Sequence, residues 1–95
     1  MTLPKLIQKA VQEWHIPAEC INRGFCKDFA KEISRRWRGA KVVWDYDLDN
    51  SFQHYHCFVQ FDGRFYDSEC PEGVDNWKDL PLYKRLKVPP AKMYA

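Results

Sequence analysis

The Asp62-Gly63 pair constrains the fold most strongly, because runs rich in aromatic and β-branched residues flank it on both sides. Asp-Gly is a preferred pair for a two-residue hairpin turn, so residues 54–69 predict two antiparallel strands. A two-residue loop pairs Phe61 with Arg64, and successive strand side chains point to opposite faces of a sheet. The register of this hairpin therefore decides which polar side chains share a face.

Four ionisable side chains fall on one face of the predicted hairpin: His54, His56, Asp67 and Glu69. In the simple register Glu69 lies directly opposite His56, and Asp67 is a diagonal neighbour at about 7–8 Å, within reach of longer side chains. An imidazole beside a carboxylate is half of a hydrolytic site. Cys57 points to the other face, where we expect an inert core thiol.

Apolar residues recur at helical spacing in two N-terminal segments, which predict helices over residues 2–14 and 24–38. Cys26 falls in the first turn of the second helix, on its apolar side. Free backbone N–H groups and the positive end of the helix dipole lower the pKa of a thiol there. Cys26 is therefore the candidate nucleophile, and the alternative is an ordinary small buried hydrophobe. We expect His56 on the sheet surface that this helix covers.

The remaining segments complete a single α+β domain spanning residues 1–95, with the N-terminal helices packed on a small antiparallel sheet. Breaker residues such as Pro17 and Gly39 divide the helices from the sheet. In chain order these segments are a connector (15–23), a first strand (41–46), an acidic turn region that begins at its end (45–50), a turn (70–73), a short helical or irregular segment (74–86) and an extended tail (88–95).

Composition excludes several classes of protein. Ninety-five residues make one domain with one core. A net charge of +2 is too nearly neutral for a dedicated nucleic-acid binder. No apolar run approaches the roughly 18–20 residues of a membrane span, and the N-terminus has no export signal. We therefore expect a cytoplasmic protein with four reduced cysteines and no membrane partner.

Metal binding is a further possibility, and the spacing of the candidate ligands argues against it. Side chains of the types that bind zinc are present, namely Cys20, Cys26, His54, His56, Cys57 and Cys70. Neither C-x-x-C nor H-x-x-x-H spacing occurs, and His56 and Cys57 point to opposite faces. We expect neither a metal ion nor another cofactor.

The chain order of the three candidate residues is a cysteine at a helix start, a histidine on a strand and an aspartate on the next strand. This order resembles that of the papain-like and transglutaminase-like cysteine hydrolases. The resemblance is carried by GFCKDFA (24–30), HCFV (56–59) and DGRFYD (62–67). It is similar to small bacterial and phage members, whose pattern runs on into a segment like EGVDNWKDLP (72–81).

The resemblance implies a papain-like or transglutaminase-like core with Cys26 as nucleophile, His56 as base and Asp67 orienting the imidazole. Glu69 stays the alternative acid, because the simple register favours it. The implied activity is a thiol hydrolase or acyltransferase. The 95 residues hold no large second lobe, which favours a narrow amide, isopeptide or glutamine-type bond in a protein or peptide substrate.

Two points stay open on the sequence alone. The oxyanion of such a reaction needs donors, and the candidates are the Cys26 backbone N–H together with one side chain from Asn22, Gln53 or Trp44. The second open point is whether the chain is an enzyme. A non-catalytic binding module on the same fold, such as a phage-type inhibitor of a host protein, would keep the three residues as a relic and use its charged faces.

Overall fold

The computed structural model describes residues 1–51 and 55–86, and these form a small α+β domain. Three helices come first, and four strands follow with a short helix after the first of them. The elements are α1 (Leu3–Trp14), α2 (Ala18–Gly24), α3 (Cys26–Arg36), β1 (Lys41–Trp44), α4 (Asp45–Leu48), β2 (Cys57–Phe61), β3 (Arg64–Asp67), β4 (Cys70–Val74), a 3₁₀ helix (Trp77–Asp79) and α5 (Pro81–Leu86). The expected α+β class, with N-terminal helices and an antiparallel sheet, is confirmed.

The sheet is an antiparallel meander in which β1, β2, β3 and β4 lie side by side in chain order. Phe61 pairs with Arg64 across the β2–β3 turn, as the sequence predicts. Asp62 and Gly63 form that turn with φ angles of 52° and 77°. Positive φ at both central residues is the requirement of a type I′ turn, and an Asp-Gly pair adopts it at low cost.

Two hydrophobic clusters cover the two faces of the sheet. The helix-side cluster joins apolar residues of α1, α2 and α3, such as Ile7 and Ile33, to Cys57 and Val59 of β2. The second cluster joins Phe58 of β2 to other buried side chains of the sheet and of the C-terminal segment, namely Val43, Phe65, Trp77 and Leu80. The strand alternation thus divides β2 between two cores, as its period of two requires.

The structure corrects two of the predicted irregular segments. The connector at 15–23 is largely helical, since α2 runs from Ala18 to Gly24; Pro17 precedes this helix as its N-cap and does not interrupt it. The turn at 70–73 belongs to β4, which forms an edge of the sheet. An edge strand tolerates Pro71, since a missing N–H donor does no harm on the side that faces away from the ladder.

Other boundaries also differ from the sequence-based ones. The second predicted helix, at 24–38, is shorter and runs as α3 from Cys26 to Arg36. The acidic turn region after β1 begins with the short helix α4. Gln53 and the tail at 88–95 lie outside the described residues. No helix in the described part of the chain is long and apolar enough to cross a membrane.

Candidate active site

Cys26 is the first residue of α3 and is half-buried. Phe25, which precedes it, caps the helix without a side-chain hydrogen bond. The first N–H groups of a helix have no acceptor within the helix, so this uncapped start offers donors to the thiol. The cysteine therefore lies at the positive end of a helix dipole, as the sequence predicts.

His56 and Asp67 form a buried pair close to the start of β2 and the end of β3. The Nε2 atom of His56 lies 2.9 Å from Oδ2 of Asp67, and the two side chains are 0% and 2% exposed. The other ring nitrogen, Nδ1, is also buried and makes no hydrogen bond of regular geometry within residues 1–51 and 55–86. Because Asp67 occupies Nε2, Nδ1 is the nitrogen that remains for a proton exchange with a neighbouring group.

The Cys26 thiol is that neighbouring group. Burial raises the pKa of Cys26, but the neighbouring His56 imidazole, followed by the backbone groups of Cys57 and Lys27, outweighs it, so the pKa is lowered overall. The structure thus brings together the three residues that the sequence singles out, with the imidazole between the thiol and the carboxylate.

The charge state of His56 follows from the same contacts. Burial alone would lower the pKa of its imidazole, yet the hydrogen bond and charge of Asp67, followed by the effect of the neighbouring Cys26 thiol, raise it from 6.5 to about 9. A buried imidazole gains a proton only where carboxylate or thiolate neighbours compensate for lost hydration. At neutral pH the imidazole is therefore in its protonated form, supported by the Asp67 carboxylate, and the same contacts shift the Cys26 thiol toward its thiolate.

Cys57 shows how strongly these contacts act, because it lies one residue from His56 and has none of them. Burial, followed by the charge of Cys26, raises the pKa of the Cys57 thiol to about 12. Its side chain belongs to the helix-side cluster. This environment agrees with the expectation of an inert thiol. All four cysteines are free.

The face assigned to His56 is wrong in the sequence-based reasoning. Its ring packs against Phe58, with centroids 5.6 Å apart, on the face opposite to the helix-side cluster. His56 precedes the first residue of β2, so its ring lies at the end of the strand and not beneath α3. The imidazole reaches Cys26 because the start of α3 also lies at this end.

Glu69 does not lie opposite His56. Oδ1 of Asp67 accepts the backbone N–H of Glu69 at 2.9 Å, which closes a turn at 68–69 and ends β3. The Glu69 carboxylate instead receives two hydrogen bonds from Arg85, at 2.6 and 2.9 Å, and one from Asn22 at 2.8 Å. Burial raises the pKa of Glu69, but these bonds outweigh it and lower the pKa overall.

The candidate oxyanion donors differ in their surroundings. Asn22 is buried, donates from Nδ2 to Glu69, and accepts the Ser68 hydroxyl on Oδ1 at 2.9 Å. Trp44 ends β1 and pairs with Cys57, which places it beside the backbone that contacts the thiol. The backbone groups that contact the sulfur are those of Cys57 and of Lys27, and Lys27 belongs to the uncapped start of α3.

Sequence reasoning missed two residues beside the imidazole, Asp45 and Tyr83. Asp45 is fully buried and hydrogen-bonds both the His56 backbone and the Tyr83 hydroxyl. The ring of Tyr83 packs edge-on against the imidazole at 5.9 Å. An aspartate among several at 45–49 carries no burial pattern, and only its position directly after a strand could have pointed to it.

The described residues include no group of three or more His, Cys, Asp or Glu side chains placed to hold a metal ion. Comparisons of the chain with protein-family models, with curated proteins and with solved structures gave no match. The chemistry of the site therefore rests on its own geometry.

Proposed function

We propose that this chain is a thiol hydrolase or acyltransferase that uses Cys26 as nucleophile, His56 as acid and base, and Asp67 to orient the imidazole. Its fold would then be a small papain-like or transglutaminase-like core without a large second lobe. The observation that carries the proposal is the buried imidazole, which has Asp67 at 2.9 Å on Nε2 and the Cys26 thiol as its other neighbour.

The proposed reaction cleaves an amide, isopeptide or glutamine-type bond of a protein or peptide. The Cys26 sulfur attacks the carbonyl carbon, an S–C bond forms, and the carbonyl oxygen becomes an oxyanion. His56 passes its proton to the nitrogen as the C–N bond breaks, and an amine or ammonia leaves. Water, deprotonated by the now neutral His56, then releases the acyl group as a carboxylic acid and restores the thiol. An acceptor amine in place of water gives acyl transfer.

Asp67 serves the proposed reaction in two ways. Its carboxylate fixes the proton on Nε2, so Nδ1 faces the sulfur in the tautomer that the reaction requires. It also stabilises the imidazolium that forms when the thiol loses its proton. A carboxylate that is 2% exposed acts at low dielectric, where both effects are stronger than they are in water.

We propose that the oxyanion is bound by backbone N–H groups at the start of α3, since no side chain caps them. We also propose a cytoplasmic location, because a reducing compartment keeps a nucleophilic cysteine in its free form.

Selective alkylation tests the proposal. Iodoacetamide is added at a pH of about 6, and the modified cysteine is identified by mass spectrometry. We expect Cys26 to react first although Cys20 is more exposed, because a thiolate and not an accessible thiol is the nucleophile. Cys20 is thus an internal control for access. Labelling of Cys20 first, with Cys26 protected until the protein unfolds, would refute the proposal and favour the binding module.

Turnover of an activated ester tests the acyl chemistry itself. With p-nitrophenyl acetate, the sulfur of Cys26 gains the acetyl group and p-nitrophenolate leaves. We expect an acetylated intermediate in the intact mass spectrum and continued release of p-nitrophenolate as water removes the acetyl group. The Cys26→Ala variant should lose both signals, while Cys57→Ala should keep them. Equal release by wild type and Cys26→Ala would contradict the assignment of the nucleophile.

A further inference from the structure

Asp45 holds both backbone polar groups of His56. Its own backbone N–H donates to the His56 carbonyl at 3.2 Å, and its Oδ2 accepts the His56 N–H at 3.1 Å. His56 lies just before β2, where the regular ladder between β1 and β2 has ended. A side-chain oxygen of Asp45 thus replaces the strand partner that this residue lacks.

Tyr83 completes the arrangement from α5. Its hydroxyl donates to the same Oδ2 atom of Asp45 at 2.8 Å, and its ring packs edge-on against the imidazole with centroids 5.9 Å apart. Burial, followed by the hydrogen bond to Asp45, raises the pKa of Tyr83, so its hydroxyl stays a donor. The ring is held on its other sides by Phe58 and Trp77, at 6.4 and 5.2 Å.

These contacts converge on one carboxylate oxygen that is shielded from water. Asp45 is 0% exposed, and its second oxygen accepts the Tyr46 backbone N–H at 2.8 Å. A buried carboxylate that receives three hydrogen bonds has little freedom to rotate, because each alternative orientation would leave buried donors unpaired. Asp45 therefore has one fixed orientation. It holds the backbone of His56 directly, and it holds the ring of His56 through Tyr83.

We propose that Asp45 and Tyr83 are positioning residues that set where the His56 imidazole lies between Cys26 and Asp67. Asp67 fixes the rotation of the ring through one nitrogen, whereas Asp45 and Tyr83 fix the place of the whole residue. This inference rests on the function proposed above, because it assigns a role toward the Cys26 thiol. A small displacement of a general base lowers a rate steeply, so such supports act on the reaction without contact with a substrate.

Tyr83→Phe is the decisive variant, because it deletes the hydroxyl and keeps the ring. We expect alkylation of Cys26 at a pH of about 6 to slow roughly tenfold, with the rate recovering at higher pH. The matched control is Tyr66→Phe, which deletes the hydroxyl of a tyrosine that is 6% exposed and belongs to the helix-side cluster. It should keep the wild-type pH profile. Asp45→Asn, a second variant, should slow the reaction further, since it replaces an acceptor oxygen with a donor group.

Ring ¹⁵N chemical shifts of His56 provide an independent readout in the folded state. In the wild type both nitrogens should show the protonated imidazolium at neutral pH, and Tyr83→Phe should move them toward the neutral form. A purely structural role would lower the melting temperature of Tyr83→Phe and leave both the shifts and the pH–rate profile unchanged. That result would overturn the inference.

The outcomes separate this inference from the proposed function. A wild-type Cys26 that reacts at low pH, together with an unchanged Tyr83→Phe, removes the positioning role and leaves the proposed function standing. A wild-type Cys26 that does not react removes both. A slowed Tyr83→Phe with an unaffected Tyr66→Phe supports both.

Discussion

Replacement of Asp67 by Asn tests the source of the imidazolium. The variant keeps the shape of the side chain and removes its charge. In the wild type the pKa of His56 rises from 6.5 to about 9, although burial acts in the opposite direction. At 1.36 kcal/mol per pKa unit, this shift corresponds to about 3 kcal/mol in favour of the protonated ring. Asp67 supplies the largest share of that stabilisation, ahead of Cys26.

Without the carboxylate, burial should prevail and the ring of His56 should be neutral at pH 7. The Cys26 thiolate then loses its cation, and its population at low pH falls. From the 3 kcal/mol, which equals roughly a hundredfold in population, we expect at least a tenfold slower alkylation of Cys26 at a pH of about 6. The assay is the second-order rate constant for iodoacetamide between pH values of about 5 and 10, with mass spectrometry to assign each product.

Glu69→Gln is the matched control for Asp67→Asn. It makes the same chemical change two residues away, in a carboxylate whose partners are Arg85 and Asn22. We expect its rate profile at Cys26 to stay close to that of the wild type. If Asp67→Asn retains the wild-type profile, or if Glu69→Gln shows the larger loss, the assignment of Asp67 to the imidazole is refuted.

Two further predictions concern stability. In Cys26→Ala, Asp67 still raises the pKa of His56, although less far than the wild-type value of about 9 because the contribution of Cys26 is gone. The stabilisation is therefore complete below pH 6.5 and is lost as the pH rises through this raised pKa. Urea unfolding measured against pH should show this decline in the free energy of unfolding more clearly in the variant than in the wild type. In the wild type the lowered pKa of Cys26 adds stability as the pH rises toward 9.0 and so offsets the decline. A free energy of unfolding that stays as flat in the variant as in the wild type, or that rises with pH, would contradict the ion pair. Gly73→Ala should lower the free energy of unfolding by about 2–4 kcal/mol, because φ is +80° and the new Cβ would lie 2.5 Å from the Tyr66 ring. The control is Gly24→Ala, whose new Cβ meets nothing within 4 Å and which should be near neutral in the same urea assay. A similar loss in the two glycine variants would contradict the contact.

The elements with a strong local signal are the ones that the sequence predicts correctly. The turn at Asp62-Gly63 and the register of Phe61 with Arg64 follow from the requirements of a two-residue loop. The start of α3 at Cys26 differs from the expected start by two residues. In each case the residues that determine the turn or the helix start lie within a few positions of it, so local backbone preferences are enough to predict it.

The remainder depends on contacts between distant residues. The sequence predicts a turn at 70–73, and a strand that contains Pro71 is possible there only because β4 lies at the sheet edge. Asp45 belongs to a row of acidic residues, and its burial follows from hydrogen bonds to His56 and Tyr83, of which Tyr83 lies 38 residues later in the chain. No local pattern encodes such a partner, so the support of the imidazole could not be predicted.

The site collects its groups from five separate places in the chain: the start of α3, the residue before β2, the end of β3, the first residue of α4, and α5. No single one of these segments provides all the contacts that lower the pKa of the Cys26 thiol. Under the proposed function, the nucleophile therefore comes into existence only with the cooperative folding of the whole domain. In a partly unfolded molecule Cys26 is an ordinary cysteine. The reactivity of Cys26 therefore reports whether the domain is folded, and only folded molecules carry out the proposed reaction.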